Sequence, residues 1–363
     1  MFTHKPDYEA VLNRFEAWWH AEVVDRALFG LSLPQPPEKR QAVPTKHFAS
    51  HRERWLDTEY LVERTIANMN NRIFLADSLP IVFPNLGPDV FAACYGCELE
   101  YGESTTWSHP ILKDLSEESL AGLAFDTNSF AFRKLEEMTH ALLEVGKGHF
   151  IVGYTDIHPG GDAIAAFRHP QELLLDTIDN PEGIKKLLDQ VTDDFFRFYE
   201  FFHELLSSAG MPSASWLPAI GKGRFHIPSN DFSCMISDQM FEELFIPGII
   251  RECQHMDHCI YHLDGPQALR YLDRLLEIPE IQAIQWVPGA GRDGWRRSMP
   301  VYQHIQSKGK AFLVDPVHAQ DLDEFFTHLA PEGVWISAVT GVTTRAEADA
   351  VAAKIASWTR RQG

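Results

Sequence analysis

Cysteine is scarce in this chain: five residues in 363. An odd and small number cannot build a disulfide scaffold, so the thiols are expected to be reduced. No continuous apolar run reaches about 18 residues, which argues against a membrane-spanning helix. The opening stretch, Met1 to Glu9, is polar and acidic and lacks the basic end and apolar core of a secretory signal. A cytoplasmic location with no membrane partner is therefore expected. Positive charge is the other shortage. Lys and Arg number 32 against 51 Asp and Glu, a net charge of −19. A surface so negative repels phosphate backbones, so a nucleic-acid partner is not expected. A Walker loop, a Gly-x-Ser-x-Gly elbow and a His-Glu-x-x-His helix are also lacking.

What remains is a globular composition, 45% hydrophobic and 23% charged. The length suits two ordinary domains or one large barrel. The second half decides between them. Strands are expected at Cys259–Gly265, Ile281–Val287, Lys310–Asp315 and Gly333–Val339. Helices follow them at Gln267–Ile278, Gly294–Ser307, Leu322–Leu329 and Thr344–Arg361. Strands alternating with helices mark parallel strands with crossover connections. The first half is less regular. Strands are expected at Arg26–Leu33 and His149–Tyr154, with another at Trp216–Ile220 and a long helix over Glu182–Leu206 behind Pro181. Irregular stretches near Pro80–Pro110 and Gly221–Ser237 read as site walls. No Gly-x-Gly-x-x-Gly follows an early strand, which lowers a doubly wound sheet. The expected fold is one α/β domain over residues 1–363, a single (β/α)8 TIM barrel.

In such barrels chemistry sits at the carboxyl ends of the strands. Polar residues ending apolar runs are then the candidates: Asp77, Asp156, His158, His262, Asp264, Gln285 with Trp286, Asp315 and Thr340. Asp231 in the Pro228–Phe232 loop joins them. Asp77, Asp156, His158 and Asp231 suit acid/base work, and Trp216, Gln285, Trp286 and Asp315 suit substrate contact. Any single Asp after a strand also reads as a helix cap, Asp264 and Asp315 above all. The pair His262-x-Asp264 is different, since residues two apart in a strand share one face. Imidazole plus carboxylate suits a divalent metal, zinc or a harder ion, or direct substrate contact. Cys94-x-x-Cys97 is a lone pair of thiols without a second pair, and reads as buried.

These residues also carry a family resemblance. Ala76-Asp77-Ser-Leu-Pro80, the stretch Phe232 to Pro247, Tyr261-His-Leu-Asp-Gly265 and the closing Ile336-Ser-Ala-Val-Thr-Gly-Val342 resemble the uroporphyrinogen decarboxylase-like superfamily. That superfamily includes corrinoid-dependent methyltransferases. The resemblance implies a single barrel with its site at the carboxyl-end mouth, and Asp77 in the place of a catalytic aspartate. Two departures steer the function. The Arg-rich segment that grips a polycarboxylate is reduced here to Arg26, and charge repulsion disfavours such a substrate in an acidic mouth. The methyltransferases hold zinc with His-x-Cys and a later Cys; here those positions read Asp264 and Thr340. A His/Asp site is harder and acts as a Lewis acid on oxygen or nitrogen rather than activating a thiol. The resemblance thus implies a methyltransferase-like enzyme working with a corrinoid protein on a small oxygen- or nitrogen-bearing substrate. The alternatives are a decarboxylase of uroporphyrinogen or a related acid, and a non-catalytic binding barrel. Adjacent Trp18 and Trp19 on the amino-terminal helix cannot both face the barrel squarely, which hints at a homodimer.

Overall fold

The structure is a computed structural model, and it describes residues 2–289 and 294–362. Its strands are β1 (Leu28–Pro34), β2 (Arg72–Ala76), β3 (Ile81–Val82), β4 (Leu99–Tyr101), β5 (Thr106–Ser108), β6 (Ile151–Val152), β7 (Phe225–His226), β8 (His258–Asp264), β9 (Ala283–Val287), β10 (Ala311–Val314), β11 (Val317–His318), β12 (Val334–Ile336) and β13 (Val339–Thr340). Seven form one sheet in the order β2-β1-β12-β10-β9-β8-β7. Every pairing in it is parallel except β1 with β2. β3 pairs with β6 in parallel, and β4 with β5 as an antiparallel hairpin. Tyr154 N donates to Ala214 O at 2.9 Å, carrying the β6 side on to residues near 214. Among the described residues the ladder does not close on itself, so the observed architecture is mixed α/β with a largely parallel sheet.

The strand–helix alternation of the second half is present, with shorter elements. The helix expected over Gln267–Ile278 is a 3-10 turn at Ala268–Tyr271 followed by Leu272–Leu276. The long helix runs Pro181–Ser208, where Asn180 caps the start by accepting from Gly183 N at 3.0 Å. Its Phe198 packs edge-on against Phe91 and Phe132, joining the first half to the common core. The strand expected at Trp216–Ile220 does not form; a single bridge joins Ser213 to Gly221.

Two expectations are corrected at the amino-terminal end of the sheet. Ile73–Ala76 does lie in a strand, but β2 runs antiparallel to β1. The residue after it therefore reaches the opposite end of the sheet from the residues that follow parallel strands. Ala76 turns the chain there with φ 49°, and its carbonyl accepts from Lys5 Nζ at 2.6 Å. Asp77 has a fully buried side chain held by Arg26, by Arg14 Nη1 at 3.1 Å and by Phe29 N at 3.0 Å. It forms a clasp at the start of β1, at the end of the sheet away from the carboxyl-end mouth where it was expected. Trp18 and Trp19 are both buried. Trp18 Nε1 donates to Gly333 O at 2.9 Å and Trp19 Nε1 to Ile220 O at 3.0 Å, so helix Tyr8–Trp18 covers this end of the sheet. The argument for a dimer from an outward tryptophan is thereby removed.

Breaking a buried pair strands the partner's charge, at about 3–5 kcal/mol. Asp77→Asn should therefore lower the unfolding free energy by about 3 kcal/mol in urea titrations. An unchanged midpoint and slope would refute the clasp.

Candidate functional site

The opposite end of the sheet gathers polar side chains from β8 and β9 and from the segments that follow β6 and β7. Residues His262 and Asp264 of β8 alternate onto one face, as strand geometry requires. The loop after β7 runs beside them: His262 N donates to Pro228 O at 2.9 Å, and Ser229 bridges in parallel to His262. This holds Asp231 against the strand end. One donor atom each from Asp231, His262 and Asp264 lies within 4.8 Å of the others. It is the one such group of three among the described residues. Two carboxylates and an imidazole form a donor set for a divalent ion, zinc or harder.

The third member was not legible as a ligand in the sequence. Thr340, aligned with a zinc thiolate by resemblance, lies instead in β13 opposite His318 and is exposed. Cys94, Cys97, Cys253 and Cys259 are buried free thiols.

Neighbouring strands orient His262. Gln285 of β9 stands in register with it, and Gln285 Oε1 lies 2.6 Å from His262 Nδ1. An amide oxygen accepts, so the bond assigns the proton to Nδ1 and leaves Nε2 with its lone pair. Burial lowers the pKa of His262, Gln285 partly opposing and charged His158 adding, so the ring is held neutral. Trp216 packs edge-on against it, centroids 5.2 Å apart at 87°. Alternation along β9 then turns Trp286 to the other face, where it is buried in the core rather than lining substrate. Asp315 follows β10, and its Oδ2 accepts from Gly294 N at 3.2 Å ahead of helix Trp295–Ser307, whereas the turn after β10 is capped by His318 and not by Asp315.

A second group centres on His158, 6.4 Å from His262 ring to ring. Asp156 Oδ1 approaches His158 Nε2 at 3.1 Å, close enough for an ion pair though poorly aligned for a hydrogen bond. On the other side, His158 Nδ1 is 2.8 Å from Ser229 Oγ, which donates to Asp162 Oδ2 at 2.8 Å. Asp162 Oδ1 accepts from Asp231 N at 2.8 Å and Phe232 N at 3.2 Å. Burial opposes charge on His158, yet Asp156 and Asp162 overcome it and raise its pKa well above the ordinary value. Burial pushes against ionisation of Asp162 too, but His158 and Ser229 win and lower its pKa.

Asp162 and Ser229 escaped a search confined to strand ends. Asp162 sits in the first turn of helix Gly160–Arg168, and the signal was the Pro159-Gly-Gly-Asp162 run four residues past His158. Gly161 is what lets the helix come so near. A Cβ there would meet Asn230 Oδ1 at 2.5 Å.

Asp231 is exposed as a residue, but its carboxyl group is enclosed by the cleft. That enclosure, with Asp162, Asp264 and Asp156 nearby and His158 opposing, raises its pKa to about 7. Behind the cleft, Glu252 Oε2 and His226 Nε2 face each other at 3.8 Å, both side chains buried. Burial raises Glu252 to about 8, Asp162 adding, and lowers His226 to about 3, His158 adding.

No protein-family model matches the chain, and no curated protein matches it either. Solved structures do. The chain is similar to a methyltransferase from Methanosarcina mazei, with TM-score 0.56 and 12% identity over 94% of this chain and 97% of that one. At this identity the likeness is one of fold, and it extends over the whole α/β architecture.

Three outcomes follow. A cation must displace the proton that Asp231 holds near neutrality, so divalent-ion affinity by calorimetry should fall about tenfold per pH unit below about 7, with proton release. His262→Ala should abolish binding, and Gln285→Leu should weaken it about 10–100-fold. Glu252 has a folded pKa above its ordinary value, so its ionisation costs stability as pH rises from about 4.5 towards about 8. Glu252→Gln should flatten that decline in denaturant titrations between pH 5 and pH 8, and an unaltered slope would count against a buried neutral Glu252.

Proposed function

We propose that this chain is a single (β/α)8 barrel that transfers a methyl group from a small oxygen- or nitrogen-bearing donor to a corrinoid protein. β1, β3, β6, β7, β8, β9, β10 and β12 would be its eight staves, with the site at their carboxyl ends. The observation that carries the reading is the convergence of Asp231, His262 and Asp264 within 4.8 Å beside a second, charged group on His158. The likeness of fold to a protein named as a methyltransferase supports it.

The donor set fits a divalent metal. His262 presents an unprotonated Nε2, and Asp231 and Asp264 supply charge that is costly to gather without a cation. When bound, zinc or a harder divalent ion would polarise the donor's oxygen or nitrogen as a Lewis acid. The protein's own groups account for the rest. Gln285 fixes the His262 ring, and Trp216 closes one wall. His158, charged between Asp156 and Asp162, holds a proton that the departing oxygen or nitrogen needs once its bond to methyl breaks. Ser229 sets the angle of that ring.

Decarboxylation of a polycarboxylate loses ground, because the residue that argued for it, Asp77, serves as the clasp at the far end. The test uses free cob(I)alamin in place of the corrinoid protein. Wild-type protein should form methylcobalamin, read by absorbance, from a panel of methyl ethers and methylated amines. His262→Ala and His158→Ala should each slow it at least about 100-fold. No methylcobalamin from any donor, with ion binding intact, would overturn methyl transfer.

A further inference from the structure

Beside the triad opens a cleft of ≈470 Å³ whose lining joins the catalytic group to the β4–β5 hairpin. Asp89, Asp162 and Asp231 line it, with the imidazoles of His158 and His169. Trp107, Phe232 and Met235 supply apolar surface. Among the described residues no lysine or arginine lines it. A site built for a carboxylate or phosphate would place such a cation, usually an arginine, at hydrogen-bonding distance.

Two further observations point the same way. Trp107 is 54% exposed and Met235 42%, although both are large apolar side chains facing a concave surface. The indole of Trp107 lies across Gly102, and among the described residues it has neither an aromatic nor a cationic partner. An open indole face beside carboxylates attracts an alkylammonium head through its π-electrons. The charge balance agrees. The four carboxylates of Asp156, Asp162, Asp231 and Asp264 outweigh one imidazolium and one divalent ion together.

We infer that the cleft between Trp107 and Asp231 binds a methylated ammonium or amine head on a small apolar body and rejects anionic analogues. This rests on the proposed methyl transfer for its biological sense, and narrows the donor from oxygen or nitrogen to nitrogen. A quaternary nitrogen, having no lone pair, would need neither the metal's polarisation nor the proton of His158, which serve an unprotonated amine. The binding itself is independent of turnover. Atoms balance simply: the C–N bond to one methyl breaks, the methyl passes to the corrinoid's reduced cobalt, and the nitrogen keeps the bonding electron pair. A quaternary or protonated donor leaves as a neutral amine; an unprotonated amine has to take up a proton as its bond breaks, the one that His158 holds.

The experiment is calorimetric binding to the full chain, without any corrinoid. The probes are benzyltrimethylammonium, benzyl alcohol and benzoate, which share the ring and differ in head group. The cation should bind at least about tenfold more tightly than the alcohol, and benzoate should show no heat of binding. Trp107→Ala should weaken the cation about fivefold and leave the alcohol within twofold, while Trp107→Phe keeps most of the affinity. Trp107 lies on an exposed hairpin, so its replacement leaves the core intact. Equal affinity for cation and alcohol, measurable benzoate binding, or no binding of any probe would overturn the inference. Selective cation binding in a protein that makes no methylcobalamin would uphold it while removing methyl transfer.

Discussion

One carboxylate, Asp162, ties the cleft together. Its two oxygens take up the Ser229 hydroxyl and the backbone N–H groups of Asp231 and Phe232, and it balances the charge of His158. It adds three hydrogen bonds between the helix after β6 and the loop after β7, beyond the His158–Ser229 contact and the bridge of that loop to β8. Buried carboxylates are tolerated when hydrogen bonds and a counter-charge replace water, and Asp162 has both. The triad is therefore a product of two hydrogen-bonded systems. The β8–β9 ladder orients His262 through Gln285, and the Asp162 network positions Asp231.

The two ends of the sheet have separate tasks. At the amino-terminal end, helix Tyr8–Trp18 lays its indoles over the strands and the Asp77 clasp gathers Arg14 and Arg26. Charge there is compensated by charge. At the carboxyl end, carboxylates outnumber cationic side chains, and the apolar side chains of Trp107 and Met235 face water. An imbalance of that kind is stable enough to persist in a folded chain, but it favours any ligand that corrects it.

Much of this was legible in the sequence. Period-two alternation places His262 and Asp264 together, and apolar runs bounded by turn residues mark the strands of the second half. What was not legible has physical reasons. Strand direction is not encoded in an apolar run, so Ile73–Ala76 read like its neighbours although β2 runs the other way and carries Asp77 with it. Gln285 and Trp286 are adjacent, and alternation allows only one of them to face His262. Asp162 resembled an ordinary acidic residue in a helix's first turn, because its significance lies in a loop 67 residues further along. Thr340 was placed by alignment with a thiolate, whereas the loop after β7 supplies the third donor.

Gly161 gives this arrangement an unusual fragility. A methyl at Gly161 would meet the side-chain amide of Asn230 at 2.5–2.7 Å, so alanine there would force that amide to shift. That amide is not idle: its oxygen accepts from Ser233 N at 3.1 Å and so holds the turn that begins at Asp231. A position that carries no reactive atom thus bears on where Asp231 sits, because the smallest added side chain would press on the residue that caps its turn.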